Sequence, residues 1–208
     1  MKYTHALFTL LAGFLPLTGN ADVELPNIFG NHMVLQRELP VPIWGTTDAH
    51  KVVTIQFAGQ TAKSKADREG RWKVWLRPLK ANSTGRELKV ISGVDSTLIR
   101  DVLVGEVWVS GGQSNMDYTV GGMARRLPEG KALADAADFN GIRYRKVNEK
   151  NSPTPQTDLT GGDWVVWDQH RESVAFLKSN DFHTNPSHPH NRVYMAGCAA
   201  GRVQCGCG

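Results

Sequence analysis

Cysteine is scarce in this sequence of 208 residues, and Cys198, Cys205 and Cys207 all lie in the last eleven positions. The body of the chain therefore has no cysteine pair with which to form a disulfide. A structural zinc site needs four ligands at known spacings, which Cys-x-Cys with one further cysteine does not supply. We expect no metal site here and assign the three cysteines no function.

Clusters of basic residues are also lacking. The net charge is +4, but Lys and Arg are scattered, and the densest group, Arg143 to Lys146, is interrupted by Tyr144. Binding of nucleic acid requires basic residues gathered on one face or along one run, so we expect no nucleic-acid partner. No segment after the first 21 residues is apolar enough to span a bilayer, so we expect no membrane partner once those residues are removed.

The first 21 residues have the pattern of a secretory signal peptide. Lys2 gives a positive start, Ala6 to Leu17 is a mostly apolar run, and Gly19-Asn20-Ala21 provides small residues for cleavage. A buried N-terminal helix is the alternative, but Pro16 would break it. We therefore predict a signal peptide at residues 1–21 and an exported protein, periplasmic or secreted.

Residues 22–103 have the pattern of a β-sandwich or small barrel, because short alternating runs recur between turn signals. Lys51 to Ala58 places three apolar residues on one face, and Arg71 to Leu76 places Trp72, Val74 and Leu76 opposite Trp75. We predict an antiparallel β-sandwich over this range. Turns are predicted at the breaks, which are Gly59, Asp67 to Gly70, Asn82 to Gly85, and Gly93 with Asp95.

Residues 104–175 change to an α/β pattern. Glu106 to Ser110 is an apolar strand, Lys131 to Phe139 is rich in Ala and predicted helical, and Ile142 to Val147 is a second strand. This order predicts a parallel sheet. Such a sheet needs helices on both faces, and this range supplies few elements to cover one, so we expect exposed apolar surface.

Residues 176–208 form an atypical tail that we expect to be disordered. Lys178 to Arg192 is rich in His, Pro and Asn, and no strand or helix period runs through it. His183, His188 and His190 are candidates for a general base, but a solvated tail explains them better, so we assign them no role.

Ser114 is the candidate nucleophile. It follows the strand Glu106 to Ser110 after Gly111-Gly112-Gln113, and glycines permit the sharp turn that exposes such a serine. Backbone N–H groups at the start of a following helix would stabilise an oxyanion. A helix N-cap is the alternative role for this serine. Met116 stands where Gly-x-Ser-x-Gly needs its second glycine, which disfavours a standard α/β-hydrolase elbow.

Several blocks of the sequence resemble the sialate O-acetylesterase family of SGNH hydrolases. The match continues faintly to Trp164 and about Ala175. The matching blocks are Leu25 to Arg37, Val41 to Gly45, Asp101 to Val104 and Gly105 to Met116. The resemblance implies a β-sandwich joined to an α/β/α hydrolase domain.

The same resemblance implies hydrolysis of acetyl esters on sugars, with O-acetylated sialic acid as the first expectation. Ser114 would be the nucleophile, its backbone N–H would join the oxyanion hole, and no cofactor is required. Acetylxylan-type substrates and a noncatalytic carbohydrate-binding or structural module remain the alternatives. The family's catalytic His and its acidic partner belong to a block that has no match here. We therefore interpret the sequence as a truncated, weakly active piece.

The remaining candidates are assigned no catalytic role. His32 is interpreted as structural and His170 matches no catalytic block, while Asp135 and Asp138 are interpreted as a solvated helix face. Asn82-Ser83-Thr84 is a glycosylation sequon, but a turn is its expected role. Trp72 and Trp75 lie on opposite faces of one strand. Either one suits stacking on a sugar, although core packing and surface exposure explain both without a ligand.

Overall fold

A computed structural model of the chain describes residues 22–112, 141–148, 153–156, 158–166 and 192–198, together with the single residues 129 and 132. No helix among these residues has the length and apolar character needed to cross a membrane. The predicted signal peptide at residues 1–21 and the helix predicted at 131–139 lie outside them, except for Ala132, which is helical.

Ten β-strands make up the described structure. Seven of them belong to the N-terminal part, and the seventh continues far beyond it. Their bounds are β1 Val34–Gln36, β2 Val41–Thr46, β3 Val52–Phe57, β4 Gln60–Lys65, β5 Arg71–Leu76, β6 Asn82–Ser92, β7 Asp95–Gly112, β8 Ile142–Val147, β9 Val165–Val166 and β10 Arg192–Cys198.

Two layers of strands enclose the N-terminal core. The larger layer has the order β4-β3-β6-β7, with β1 parallel to β7, and the smaller layer is the antiparallel pair β2-β5. Buried side chains from both layers share one hydrophobic cluster, which includes Ile43, Ile55 and Val74. This is the two-layer arrangement of a β-sandwich.

Alternation in the sequence assigned the faces of two strands correctly. In β3, Val53, Ile55 and Phe57 are buried, as their period of two predicts. In β5, the buried face carries Trp72, Val74 and Leu76, and the outward face includes Trp75. Both predictions are confirmed.

Two predicted breaks are wrong. Asn82 to Gly85 is not a turn between strands but the irregular first part of β6, where the pairing with β7 shifts register. The strand predicted at Glu106 to Ser110 does not begin after a break at the domain boundary but is part of β7, which has 18 residues and continues from the sandwich. Irregular pairing of this kind lets a strand bend and continue, so residues that are typical of turns do not end it.

The sheet beyond the sandwich corrects the predicted parallel sheet. Its order is β7-β10-β8-β9, and β10 runs antiparallel to both β7 and β8. β7 and β8 therefore run in the same direction, but they are not neighbours. The prediction of a disordered tail is wrong for residues 192–198, because they form the strand between them. The predicted exposure of apolar surface is confirmed at Trp108 and Val109, which are 60% and 68% exposed.

The loop before β9 packs on the sandwich. Trp164 is buried within the sandwich core cluster. The backbone N–H of Asn27 donates to Asp158 Oδ1 at 2.9 Å, and the Asn27 side chain donates to the carbonyl of Leu159 at 3.3 Å. These contacts join β8, β9 and their loop to the first part of the chain.

Candidate active site

β7 is the strand that leads to the predicted nucleophile. It belongs to the sandwich sheet at its start, leaves that sheet after Gly105 and ends at Gly112, two residues before Ser114. Ser114 itself, with Gln113, Asn115 and Met116, lies outside the described residues. Its role as nucleophile therefore stays a prediction.

A polar clamp holds β7 where it leaves the sandwich. The Gln36 side chain donates to Glu106 Oε2 at 2.9 Å and accepts from the backbone N–H of Val107 at 2.9 Å. Arg37 Nε donates to Glu106 Oε1 at 2.5 Å. Because β1 is parallel to β7 with Gln36 opposite Gly105, both side chains come from the end of the neighbouring strand. The clamp fixes the direction in which β7 continues.

The clamp also changes the ionisation of its carboxylate. The hydrogen bond from Gln36, followed by the hydrogen bond and positive charge of Arg37, lowers the pKa of Glu106 below its ordinary value of 4.5. Glu106 is therefore an anion at neutral pH. Its hydrogen bonds to Gln36 and Arg37 join the end of β1 to β7, so Glu106 helps to position the strand.

A second polar cluster joins the sandwich to β8. Asp101 Oδ2 lies 2.7 Å from His32 Nδ1 and accepts a hydrogen bond from Arg143 Nη2 at 3.3 Å. Asp101 and His32 both have positive φ, at 54° and 68°. A Cβ at Gly85 would collide with the Asp101 carboxylate, so glycine is required on the neighbouring strand.

The His32–Asp101 pair has the composition of a catalytic couple but not its position. Asp101 is eleven residues before the end of β7, and a strand rises about 3.3 Å per residue, so the end of β7 lies roughly 35 Å further along the strand. A general base must come within hydrogen-bond distance of the nucleophile, directly or through one water. The structure thus agrees with the structural interpretation of His32.

β8 carries two buried arginines. Arg143 is 8% exposed and faces Asp101, while Arg145 is 2% exposed. Burial lowers the pKa of Arg145, and the negative charges of Asp163 and Asp158 oppose that shift. These carboxylates place negative charge near the buried guanidinium, which is how proteins accommodate a buried cation.

Most of the other sequence candidates lie outside the described residues: His170, His183, His188, His190, Asp135, Asp138, Cys205 and Cys207. The catalytic His and acid, which the sequence left unassigned, stay unassigned. Cys198 is the last residue of β10, opposite Glu106 and Ile142. Within the described ranges, no group of three or more His, Cys, Asp or Glu residues is placed to hold a metal ion.

Sequence reasoning missed the clamp and the Asp101 cluster. Gln36, Arg37, Asp101 and Glu106 all lie in the blocks that carried the family resemblance. Nothing in the local pattern pairs them, because the partners are 42 to 71 positions apart. The sequence feature that could have indicated these contacts is the presence of polar residues within otherwise apolar strand sequences.

Comparison of the sequence with known proteins finds similar proteins. Sialate O-acetylesterase from Mus musculus is 32% identical over 143 residues, which cover 64% of this chain and 26% of that protein. The Homo sapiens protein of the same name is 30% identical over 143 residues, covering 64% and 27%. The chain is therefore similar to proteins named sialate O-acetylesterase over about two thirds of its own length. No protein-family model matches the chain.

A solved structure extends the comparison to the fold. A carbohydrate acetylesterase from Xanthomonas citri has 37% sequence identity and a TM-score of 0.60, covering 69% of this chain and 32% of that one. All these proteins are named as esterases, which confirms the predicted relationship. The chain spans about a quarter of the length of its sialate O-acetylesterase relatives.

Proposed function

We propose that this chain carries the N-terminal part of a carbohydrate O-acetylesterase whose preferred substrate is an O-acetylated sialic acid. The observation that supports this most directly is the similarity to proteins named sialate O-acetylesterase over 143 residues. That likeness agrees with the course of β7, which leaves the sandwich and leads into the Gly-Gly-Gln-Ser-Asn-Met sequence.

The proposed reaction is acyl transfer through serine. Ser114 Oγ attacks the acetyl carbonyl and its proton passes to a base, the sugar oxygen leaves with a proton, and an acetyl-serine remains. Water then attacks that ester and releases acetate. The backbone N–H of Ser114 stabilises the oxyanion in both steps. The reaction needs no metal or organic cofactor.

The proposal includes an α/β/α hydrolase architecture of the SGNH type for the sequence after residue 103. The shared direction of β7 and β8 supports it, since parallel strands are the framework of such a domain.

We also propose that the 208-residue polypeptide is a slow catalyst. The His32–Asp101 pair is remote from the end of β7, and the resemblance places the catalytic His and acid in a block without a match here. Loss of one member of a Ser–His system lowers kcat by a factor on the order of 10⁴ or more. Export to the periplasm or outside the cell belongs to the same proposal, supported by the pattern of residues 1–21.

Acetate release from three substrates tests the substrate class. Purified chain is incubated with 9-O-acetylated sialic acid, acetylated xylan and an acetylated alcohol that is not a sugar. We expect the fastest release from the sialic acid. Faster release from the xylan favours the acetylxylan-type alternative. Binding of these sugars with no release above the buffer rate favours a noncatalytic module.

A further inference from the structure

The outward face of β5 carries an aromatic residue between two cations. Along this strand Trp72, Val74 and Leu76 are buried, and the alternate residues are exposed. Trp75 is 56% exposed, although a large aromatic side chain of this kind is usually mostly buried. Lys73, two residues earlier, is exposed on the same face of β5, and Arg77, directly after the end of the strand, is also exposed. We call Lys73, Trp75 and Arg77 the Trp75 platform.

The platform has a fixed backbone and a positive charge that the described residues do not neutralise. Gln60 holds the end of β5, accepting from the Arg77 N–H at 2.9 Å and donating to the Arg77 carbonyl at 3.1 Å. Arg71, further back, is paired with Asp67 and Glu69. Among the described residues, neither Lys73 nor Arg77 has an ion-pair partner.

Lys73 and Trp75 already lie together. Lys73 Nζ is 5.8 Å from the centroid of the Trp75 ring. Across the strand pair, Trp75 lies opposite Pro42 and Lys73 lies opposite Trp44, whose ring packs edge-on against Phe29 at 4.7 Å. The Lys73 ammonium thus lies over one face of the Trp75 ring, at the distance of a cation–π contact, and both groups are exposed on one surface where they can contact the same ligand.

We propose that the Trp75 platform is a binding site for a carboxylated sugar, where the ring stacks on the pyranose and Lys73 or Arg77 pairs with the carboxylate. An isolated exposed tryptophan is common on protein surfaces and by itself indicates no ligand. A tryptophan close to two cations that have no ion-pair partner among the described residues suits a sugar that carries a carboxylate, because the charges are complementary. The choice of a sugar over another anion rests on the proposed function. The platform would hold the glycan while its acetyl group is hydrolysed elsewhere.

The test measures binding of sialyllactose and of lactose to the full 208-residue chain by NMR titration. We expect tighter binding of sialyllactose, weakened roughly 3- to 10-fold by Trp75→Ala, as for the loss of one stacking contact. Trp75→Phe keeps a ring and should retain part of the affinity. Lys73→Glu should weaken sialyllactose and leave lactose unchanged. Val52→Ala, at an exposed apolar residue on β3, is the control and should change neither.

Equal binding of the two sugars, or sialyllactose binding that is unchanged in both Trp75→Ala and Lys73→Glu, overturns the proposal. Tighter binding of single-stranded oligothymidylate through the same side chains also overturns it, in favour of a nucleic-acid surface. Ser114→Ala separates this site from the proposed function. If Ser114→Ala binds sialyllactose as the native chain does and releases acetate at the native rate, the binding site is supported and the proposed serine esterase is contradicted. If acetate release depends on Ser114 but sialyllactose binding does not depend on Trp75 or Lys73, the esterase is supported and the binding site is contradicted.

Discussion

The indole Nε1 of Trp164 donates a hydrogen bond to the carbonyl oxygen of Ile28 at 2.8 Å. Trp164 is 3% exposed and belongs to the core cluster of the sandwich, although it lies 136 positions after Ile28 in the sequence. The sandwich and the loop before β9 therefore share a core. Stability of one should depend on the other.

Trp164→Ala should destabilise the chain by about 3–5 kcal/mol, because it empties a buried aromatic position. Trp164→Phe should cost about 1–3 kcal/mol, since the Ile28 carbonyl then loses its donor. Urea unfolding measures both. The control is Trp75→Ala, at an exposed tryptophan, which should stay within about 0.5 kcal/mol of the native chain. If Trp164→Ala costs no more than this control, the shared core is wrong.

Asp101 should tolerate asparagine better than alanine. Asp101→Ala leaves Arg143 buried without its carboxylate and places alanine at positive φ, so we expect a loss of about 1–3 kcal/mol. Asparagine tolerates that φ and keeps an oxygen acceptor, so its loss should be smaller. Gly85→Ala should also destabilise, through the collision with the Asp101 side chain. Equal unfolding free energies for Asp101→Ala and Asp101→Asn would contradict this role.

The clamp at Glu106 should stabilise the chain in a pH-dependent way. The folded-state pKa of Glu106 is lower than its ordinary 4.5, so its contribution is fully present above pH 4.5 and is lost as the pH falls through the folded value. Glu106→Gln should therefore be less stable than the native chain at pH 7. The difference should disappear in acid. Unfolding measured from pH 7 to pH 3 checks this, and a difference independent of pH would contradict the account.

The strand from the tail should protect its neighbours. Tyr194 of β10 lies opposite Ser110 of β7 and Lys146 of β8. Tyr194→Pro removes a backbone donor from the middle of the sheet, so amides of β7 beyond Gly105 and of β8 should exchange faster with deuterium. Tyr194→Ala keeps the backbone donor and is the matched control. Identical exchange in the two variants would contradict the placement of β10.

The sequence predicted those parts of the fold in which local pattern and burial agree. Alternation identified the buried face of β5, because Trp72, Val74 and Leu76 each enter one continuous core. It did not predict which residues of β8 are buried, and these are Arg143 and Arg145. Arg143 pairs with Asp101, which is 42 positions away in the sequence, and periodicity carries no information about such a partner.

β10 was not predictable for a similar reason. Its residues follow a polar segment. Its place in the sheet is set by backbone pairing with β7 on one side and β8 on the other, and such pairing leaves no pattern in the local sequence. The nucleophile was predicted from a motif and a resemblance, while the clamp that directs β7 toward it came only from the structure. Strand direction depends on contacts between β1 and β7 that the sequence separates widely.

Chemical rescue of acetate release tests the central proposal, that Ser114 is the nucleophile and that no efficient base activates it. The native chain and Ser114→Ala are each incubated with 9-O-acetylated sialic acid at pH 7, with and without imidazole as an external base. We predict slow release without imidazole, at well below about 1 per second, and an imidazole-dependent increase in the native chain that Ser114→Ala lacks. Equal rates for the two chains with imidazole would contradict the nucleophile, and fast native release without it would contradict the missing base.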